Sequence, residues 1–214
     1  MPIRLVRHIL PLRWWSAMLL IPAGTRIAPR LAASKAGPAE VRTSAHAVLA
    51  GGCYWGVESV FRHVRGITSV TSGFAIPVSV SGAASTAPVE AVRLEYDPSR
   101  ISYRKILDVF FLVVHDPTQL NRQGPDVGAE YRSMVFVDSD AQRALVRSYM
   151  DSLTAAHVFP RRIVTSVAAL QAFDVVGPSQ QHYAERHPTD AYIVKYDAPK
   201  LVALQHRFPD LFKP

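Results

Sequence analysis

Apolar residues along this chain recur at two spacings, two residues apart and three to four apart, and the switches between them mark out the elements. Residues 45–50 (Ala-His-Ala-Val-Leu-Ala) read as a short strand, after which Val57, Val60, Phe61 and Val64 repeat as the buried face of a helix. Arg65-Gly66 closes that helix. The β-branched run at 67–75 predicts a second strand, 76–88 is a small-residue stretch without period that reads as a loop, and 89–96 predicts a third strand. A helix over 101–114 would bury Ile106, Val109, Phe110 and Val113, and Asp116-Pro117 cannot continue it. After a long polar loop at 115–133, residues 134–137 predict a strand. Ser139 and Gln142 form a capping box for a helix to about Ala156, with Leu145, Tyr149 and Leu153 as its seam. Residues 163–168 add a strand, and 173–212 read as loop with a short helix near 180–186. The order β-α-β-β-α-β-α-β is compatible with an α/β sandwich.

The third strand carries an irregularity in its alternation. Val92, Leu94 and Tyr96 form the apolar face, yet Glu90 falls on that side as well. A carboxylate on a buried face has a partner or a task, and desolvation raises its pKa so that a proton is at hand near neutral pH. The alternative is a frayed strand start, with Glu90 reaching water or an arginine.

Composition adds a division of the chain. Of 214 residues, 49% are hydrophobic and 19% charged, an ordinary globular balance. The net charge of +7 is concentrated in residues 1–44, with seven Lys/Arg and a single acid, Glu40, which leaves 17 basic against 16 acidic residues in 45–214. A nearly neutral body gives no support for a nucleic-acid face. Residues 1–44 therefore read as a basic leader and 45–214 as the folded domain. The leader's basic start, its apolar run at 14–23 and the small-residue triplet Ser34-Lys35-Ala36 slightly favour export over an organelle or the cytoplasm, although Arg26 and Arg30 are untidy for a signal peptide. No stretch approaches the roughly 18 uninterrupted apolar residues of a spanning helix. The eight histidines show no ligand spacing, and no metal or cofactor is expected.

Cys53 is the only cysteine, so no intrachain disulfide can form. It lies between a strand end and a helix start, inside Gly51-Gly52-Cys53-Tyr54-Trp55-Gly56. There the free amide groups and the helix dipole favour an anion, and a lowered thiol pKa is expected. A lone cysteine is more often a small buried hydrophobe, but two adjacent aromatics flanked by glycines on both sides make a rarer pattern.

Gly52-Cys53-Tyr54-Trp55-Gly56 resembles the Gly-Cys-Phe-Trp-Gly signature of the A-type peptide methionine sulfoxide reductases. Three further stretches are similar to that family: Glu90-Ala91-Val92-Arg93-Leu94-Glu95-Tyr96-Asp97-Pro98, the loop from His115-Asp116-Pro117-Thr118-Gln119 to Tyr131-Arg132-Ser133, and His187-Pro188 with Tyr192-Ile193-Val194. The resemblance implies a two-layer sandwich, a mixed sheet flanked by helices with a ferredoxin-like core. It also implies reduction of methionine-S-sulfoxide, protein-bound or free, as a repair activity. Cys53 would attack sulfur, Glu90 would protonate the oxygen, Tyr131 would present a hydroxyl to it and Asp126 would support them. Tyr54 and Trp55 would hold the S-methyl group. For Asp126, turn chemistry in Pro-Asp-Val-Gly is the bland alternative.

Two segments depart from the pattern. Residues 76–89 lack any tyrosine, so one of the two hydroxyls expected on the oxygen is missing, and Val176-Gly177-Pro178-Ser179-Gln180-Gln181 replaces Ala-Glu-x-Tyr-His-Gln. With no second cysteine, a Cys53 sulfenic acid needs an external thiol: thioredoxin, glutaredoxin or a small thiol. A monomer is expected. The rival readings are a thiol peroxidase using the same cysteine, and a degenerate member that binds oxidised methionine without reducing it.

Overall fold

The computed structural model describes residues 45–78 and 87–214; the expected leader and most of the expected 76–88 loop lie outside them. β1 (Ala45–Ala50), α1 (Tyr54–Arg62), β2 (Ile67–Pro77) and β3 (Val89–Tyr96) come first. α2 (Tyr103–Val109) follows and runs into a π-helical turn, Phe110–Val114. A two-stranded ribbon of β4 (Arg122–Gln123) and β5 (Asp126–Val127) and a 3-10 turn, Ala129–Tyr131, break up the long loop. Then come β6 (Met134–Phe136), α3 (Asp140–Ala155), β7 (Ser166–Ala168), β8 (Leu170–Val175) and α4 (Tyr183–Arg186). A second π-helical turn, Ile193–Asp197, leads into α5 (Ala198–Arg207).

The main sheet has the order β7-β6-β1-β3-β2-β8. Its middle four strands, with α1 and α2 as crossovers, form the β-α-β-β-α-β arrangement of a ferredoxin-like core, in which each neighbour is antiparallel. β7 adds in parallel to β6 and β8 antiparallel to β2, which makes the sheet mixed. Strand alternation decides what each face meets. Ala47 and Leu49 of β1 and Val92, Leu94 and Tyr96 of β3 join a large cluster with Val57, Val60, Phe61 and Val64, while Val48, Ala50, Val89 and Ala91 belong to a smaller cluster on the other face. α2, α3 and α5 contribute to the large cluster through Ile106, Val146 and Leu204, giving the expected two layers.

Several boundaries differ from the sequence expectation. Leu145 is 40% exposed, and the buried seam of α3 is Val146, Tyr149 and Leu153. Tyr149 places its ring edge-on against Phe111 and donates to Asp108, which fixes the rotation of the helix. The capping geometry is split. Ser139 accepts from the Gln142 amide, but the Gln142 side chain accepts from the amide of Asp138, one residue before the cap. Residues 173–212 are more regular than a loop: β8 pairs with β2, and α5 starts with Pro199 in its first turn and buries Leu204.

Candidate active site

α1 begins at the residue after Cys53, which is its N-cap and makes no side-chain capping bond. Two glycines, Gly52 in the turn and Gly56 in the first turn of α1, allow the close packing that delivers the sulfur. Gly52 has φ +92° and lies against Gln123, whose Cβ would be 2.6 Å from an added methyl. Gly56 packs so closely on Asp197 and Lys200 that a Cβ there would overlap the Asp197 carboxylate.

The polar loop is held by its own side chains. Gln123 donates to the carbonyl of Asp116 and accepts from its amide, both at 3.1 Å, and Asp116 accepts from the Thr118 amide and hydroxyl. His115 is buried between the Phe110 carbonyl and the Ser133 hydroxyl, and burial pulls its pKa down to about 4, so it is neutral. These bonds explain a polar run of such length. It is a braced frame that carries Gln123 under Gly52 and brings Asp126 and Tyr131 to the sulfur.

Cys53, Tyr54, Trp55, Glu90, Asp126 and Tyr131 line one cleft of about 270 Å³ together with Tyr192. All six residues singled out in the sequence are thus brought together. Glu90 is half-buried and in register with Phe74 of β2, so it is not frayed, and among the described residues no arginine forms an ion pair with it. Its Oε2 accepts the Tyr54 amide at 3.0 Å, and the Cys53 thiol lies beside its carboxylate in the cleft. Asp126 accepts the Tyr192 hydroxyl, which places its carboxylate in the cleft. Tyr192 was not singled out for a role in the sequence. The missing tyrosine of 76–89 pointed to a deficit of hydroxyls, but nothing in the local pattern of Ala191-Tyr192-Ile193 showed where another would come from.

Electrostatics correct one expectation. The Cys53 thiol is not lowered by the helix end. Burial and the nearby carboxylates of Glu90, Asp197 and Asp126 push it well above the ordinary thiol range, against one favourable bond from the Trp55 amide. Burial is the largest cause, and Glu90 also occupies the Tyr54 N–H at the helix end, one donor fewer for an anion there. Burial likewise raises Glu90, to about 7, with Asp126 adding to it and the Tyr54 amide and neighbouring Cys53 thiol opposing. Tyr54 is pushed up to about 12 by burial and Glu90, and Tyr131 is raised by the same causes, so both phenols keep their protons. The result is a cleft in which a neutral thiol lies beside a carboxyl group, walled by Tyr54 and the Trp55 indole.

Among the described residues no group of three or more His, Cys, Asp or Glu is placed to hold a metal ion, and no helix is long and apolar enough to cross a membrane.

Comparison with known proteins places the chain in a family. Residues 45–210 match the family model described as peptide methionine sulfoxide reductase. A peptide methionine sulfoxide reductase MsrA 2 from Mesorhizobium japonicum is 40% identical over 173 residues, 78% of this chain and 88% of that protein. An MsrA from Ralstonia nicotianae is 42% identical over 173 residues, 76% of this chain and 90% of that one. Among solved structures, reduced Mxr1 from Saccharomyces cerevisiae superposes with a TM-score of 0.60 at 27% identity, covering 69% of this chain and 87% of that one. Methionine sulfoxide reductase A of Corynebacterium diphtheriae gives 0.56 at 28%, covering 69% and 76%. The chain belongs to the peptide methionine sulfoxide reductase family, thiol-dependent oxidoreductases that return methionine-(S)-sulfoxide to methionine.

Proposed function

We propose that Cys53 carries the reduction, with Glu90 as its proton partner, and that the resting site holds the two as a neutral thiol beside a carboxyl group. The observation that carries this reading is that Glu90, held by the Tyr54 amide, and Cys53 line the same cleft. While Glu90 is charged, the thiol is held neutral. Passing the thiol proton to Glu90 creates a thiolate and removes the charge that opposed it in a single move. The carboxylic acid so formed is then a donor for the sulfoxide oxygen, which is a poor leaving group unless protonated.

In the reaction, Cys53 sulfur attacks the sulfoxide sulfur while Tyr131 and protonated Glu90 donate to the oxygen. The sulfur–oxygen bond of the substrate breaks and a sulfur–oxygen bond forms on Cys53, giving methionine and a Cys53 sulfenic acid. Methionine sulfur gains two electrons and cysteine loses two. Asp126, tied to Tyr192, supports the proton network, and the faces of Tyr54 and Trp55 hold the S-methyl group in an apolar wall. The substrate is oxidised methionine, in a protein or free.

The sulfenic acid has no second cysteine within the chain to meet it. One external thiol therefore condenses with it, releasing water and leaving a mixed disulfide, and a second thiol frees Cys53 as the external disulfide forms. Thioredoxin, glutaredoxin and a small thiol are the three reductant classes to compare. A peroxidase role fits less well, because a thiol held neutral beside a carboxylate is a slow target for a general oxidant. The test is turnover with and without reductant. One methionine per chain is expected with no added thiol and multiple turnovers with one of the three thiols. Multiple turnovers without any thiol would overturn the scheme.

A further inference from the structure

Tyr54 and Trp55 do not hold their own positions. The Trp55 indole N–H donates to the side-chain oxygen of Gln180 at 3.1 Å, and the Tyr54 hydroxyl donates to the same oxygen at 3.4 Å. One amide carbonyl, with two lone pairs, thus joins both rings. Tyr183 stacks on one face of the indole at 3.8 Å and 10°, and Tyr192 meets it edge-on. With one face covered, the indole has only its other face and its edges to offer the cleft, and the bond to Gln180 fixes the angle at which it does so.

Gln180 is itself held firmly. Its neighbour Gln181 forms a strand-like pair of bonds with the backbone of Ser72 on β2, and His182, at φ +55°, gives its amide to both oxygens of Glu58, a fully buried residue of α1. Three consecutive side chains or amides therefore grip the sheet, the helix and the aromatic pair. Gln180 is absent from the cleft lining, so anything it does to substrate passes through the rings.

We propose that Gln180 is a positioning residue that sets the width of the S-methyl wall, and through it the preference for a methyl over a larger alkyl sulfoxide. This rests on the reading that Tyr54 and Trp55 hold the methyl group. Trp Nε1–H is a donor only, so the position needs an acceptor. Leucine there leaves the indole N–H unpaired and removes the bond that sets the ring's angle against Tyr183, whereas glutamate keeps an oxygen at the same reach.

The test compares Gln180→Leu, Gln180→Glu and Trp55→Ala in the full chain, using methionine sulfoxide and ethionine sulfoxide. Gln180→Leu is expected to raise KM for methionine sulfoxide roughly tenfold, the scale of one lost hydrogen bond, with a smaller change in the rate at saturation. It should also reduce the methyl-over-ethyl preference, for which one methylene is worth about 10- to 200-fold in a fitted pocket. Gln180→Glu should recover most of both. In NMR, the indole N–H resonance identified by its loss in Trp55→Ala should move in Gln180→Leu. If Gln180→Leu and Gln180→Glu lose affinity equally with the preference intact, Gln180 is structural and the proposal falls. It falls too if Gln180→Leu keeps a normal KM and preference while Trp55→Ala raises KM, although the methyl wall then stands. A normal KM in Trp55→Ala would remove the methyl wall and this proposal together.

Discussion

Replacing Glu90 with glutamine is expected to move two readouts of Cys53 in opposite directions. Two unit charges about 4 Å apart at an effective dielectric near 20 interact by about 4 kcal/mol, close to three decades of ionisation. Removing the Glu90 charge from beside the thiol therefore raises the thiolate fraction at a fixed pH by up to about a thousandfold. The sulfoxide oxygen meanwhile loses its proton donor, which costs roughly 10²- to 10⁴-fold in rate. The assay pairs alkylation by iodoacetamide across pH 6 to 9 with single-turnover reduction of methionine sulfoxide, on wild type and Glu90→Gln. Faster alkylation with slower reduction is the predicted outcome. If alkylation slows as well, Glu90 does not hold the thiol neutral; if reduction keeps its rate, Glu90 is not the donor, and either result removes the proton-sharing account.

The same carboxyl makes stability depend on pH. Its folded pKa of about 7 lies above the ordinary 4.5, so the folded state binds the extra proton, and the stability it contributes is present below about 4.5 and lost as pH rises through 7. Glu90→Gln should accordingly be more stable than wild type by about 3 kcal/mol at pH 8 and nearly equal at pH 4 in urea titrations; a difference independent of pH would contradict the assignment. His115, held neutral with a pKa of about 4, acts in the opposite sense as pH falls below 6.5, so the mutant difference and not the wild-type slope is the informative quantity. In α3, Val146→Ala should cost about 2 kcal/mol in thermal or denaturant unfolding and Leu145→Ala less than about 0.5, the reverse of what the Leu145 spacing predicts. Gly52→Ala meets both the φ of +92° and the Gln123 side chain. It should lose at least about 1–2 kcal/mol of stability and most of the single-turnover rate, and a variant with wild-type rate would show that the turn does not place the sulfur.

β1, β3 and the first helix were legible from their periods, while β4, β5 and β8 were not read as strands. β1 and β3 have the bounds that their alternation gives, and Val57, Val60, Phe61 and Val64 are all fully buried. The seam of α3 was misread by one residue because Leu145 and Val146 are both apolar, and only the contact of Tyr149 with Phe111 and Asp108 chooses between them. α5 could have been found, since Pro199 marks a helix start and Leu201 and Leu204 follow at helical spacing, but the surrounding His, Pro and Asp residues masked it. At the site, Glu90 showed itself as a break in alternation, an intrinsic sequence signal. The state of Cys53 did not, because a thiol pKa is set by which charges lie nearest in space, and Glu90, Asp126 and Asp197 come from three separate stretches. Tyr192 and Gln180 were hidden for the same reason: their partners are 66 and 125 residues away in sequence.

The central claim is that oxygen passes from substrate to one sulfur atom with no help from a second cysteine. Anaerobic incubation of reductant-free protein with an equivalent of each methyl sulfoxide epimer, followed by intact mass, tests it most directly. The S epimer should add one oxygen to the chain at Cys53 and release one methionine, while the R epimer, and Cys53→Ser with either epimer, should show no change. Release of methionine from a chain whose cysteine keeps its original mass would contradict the account.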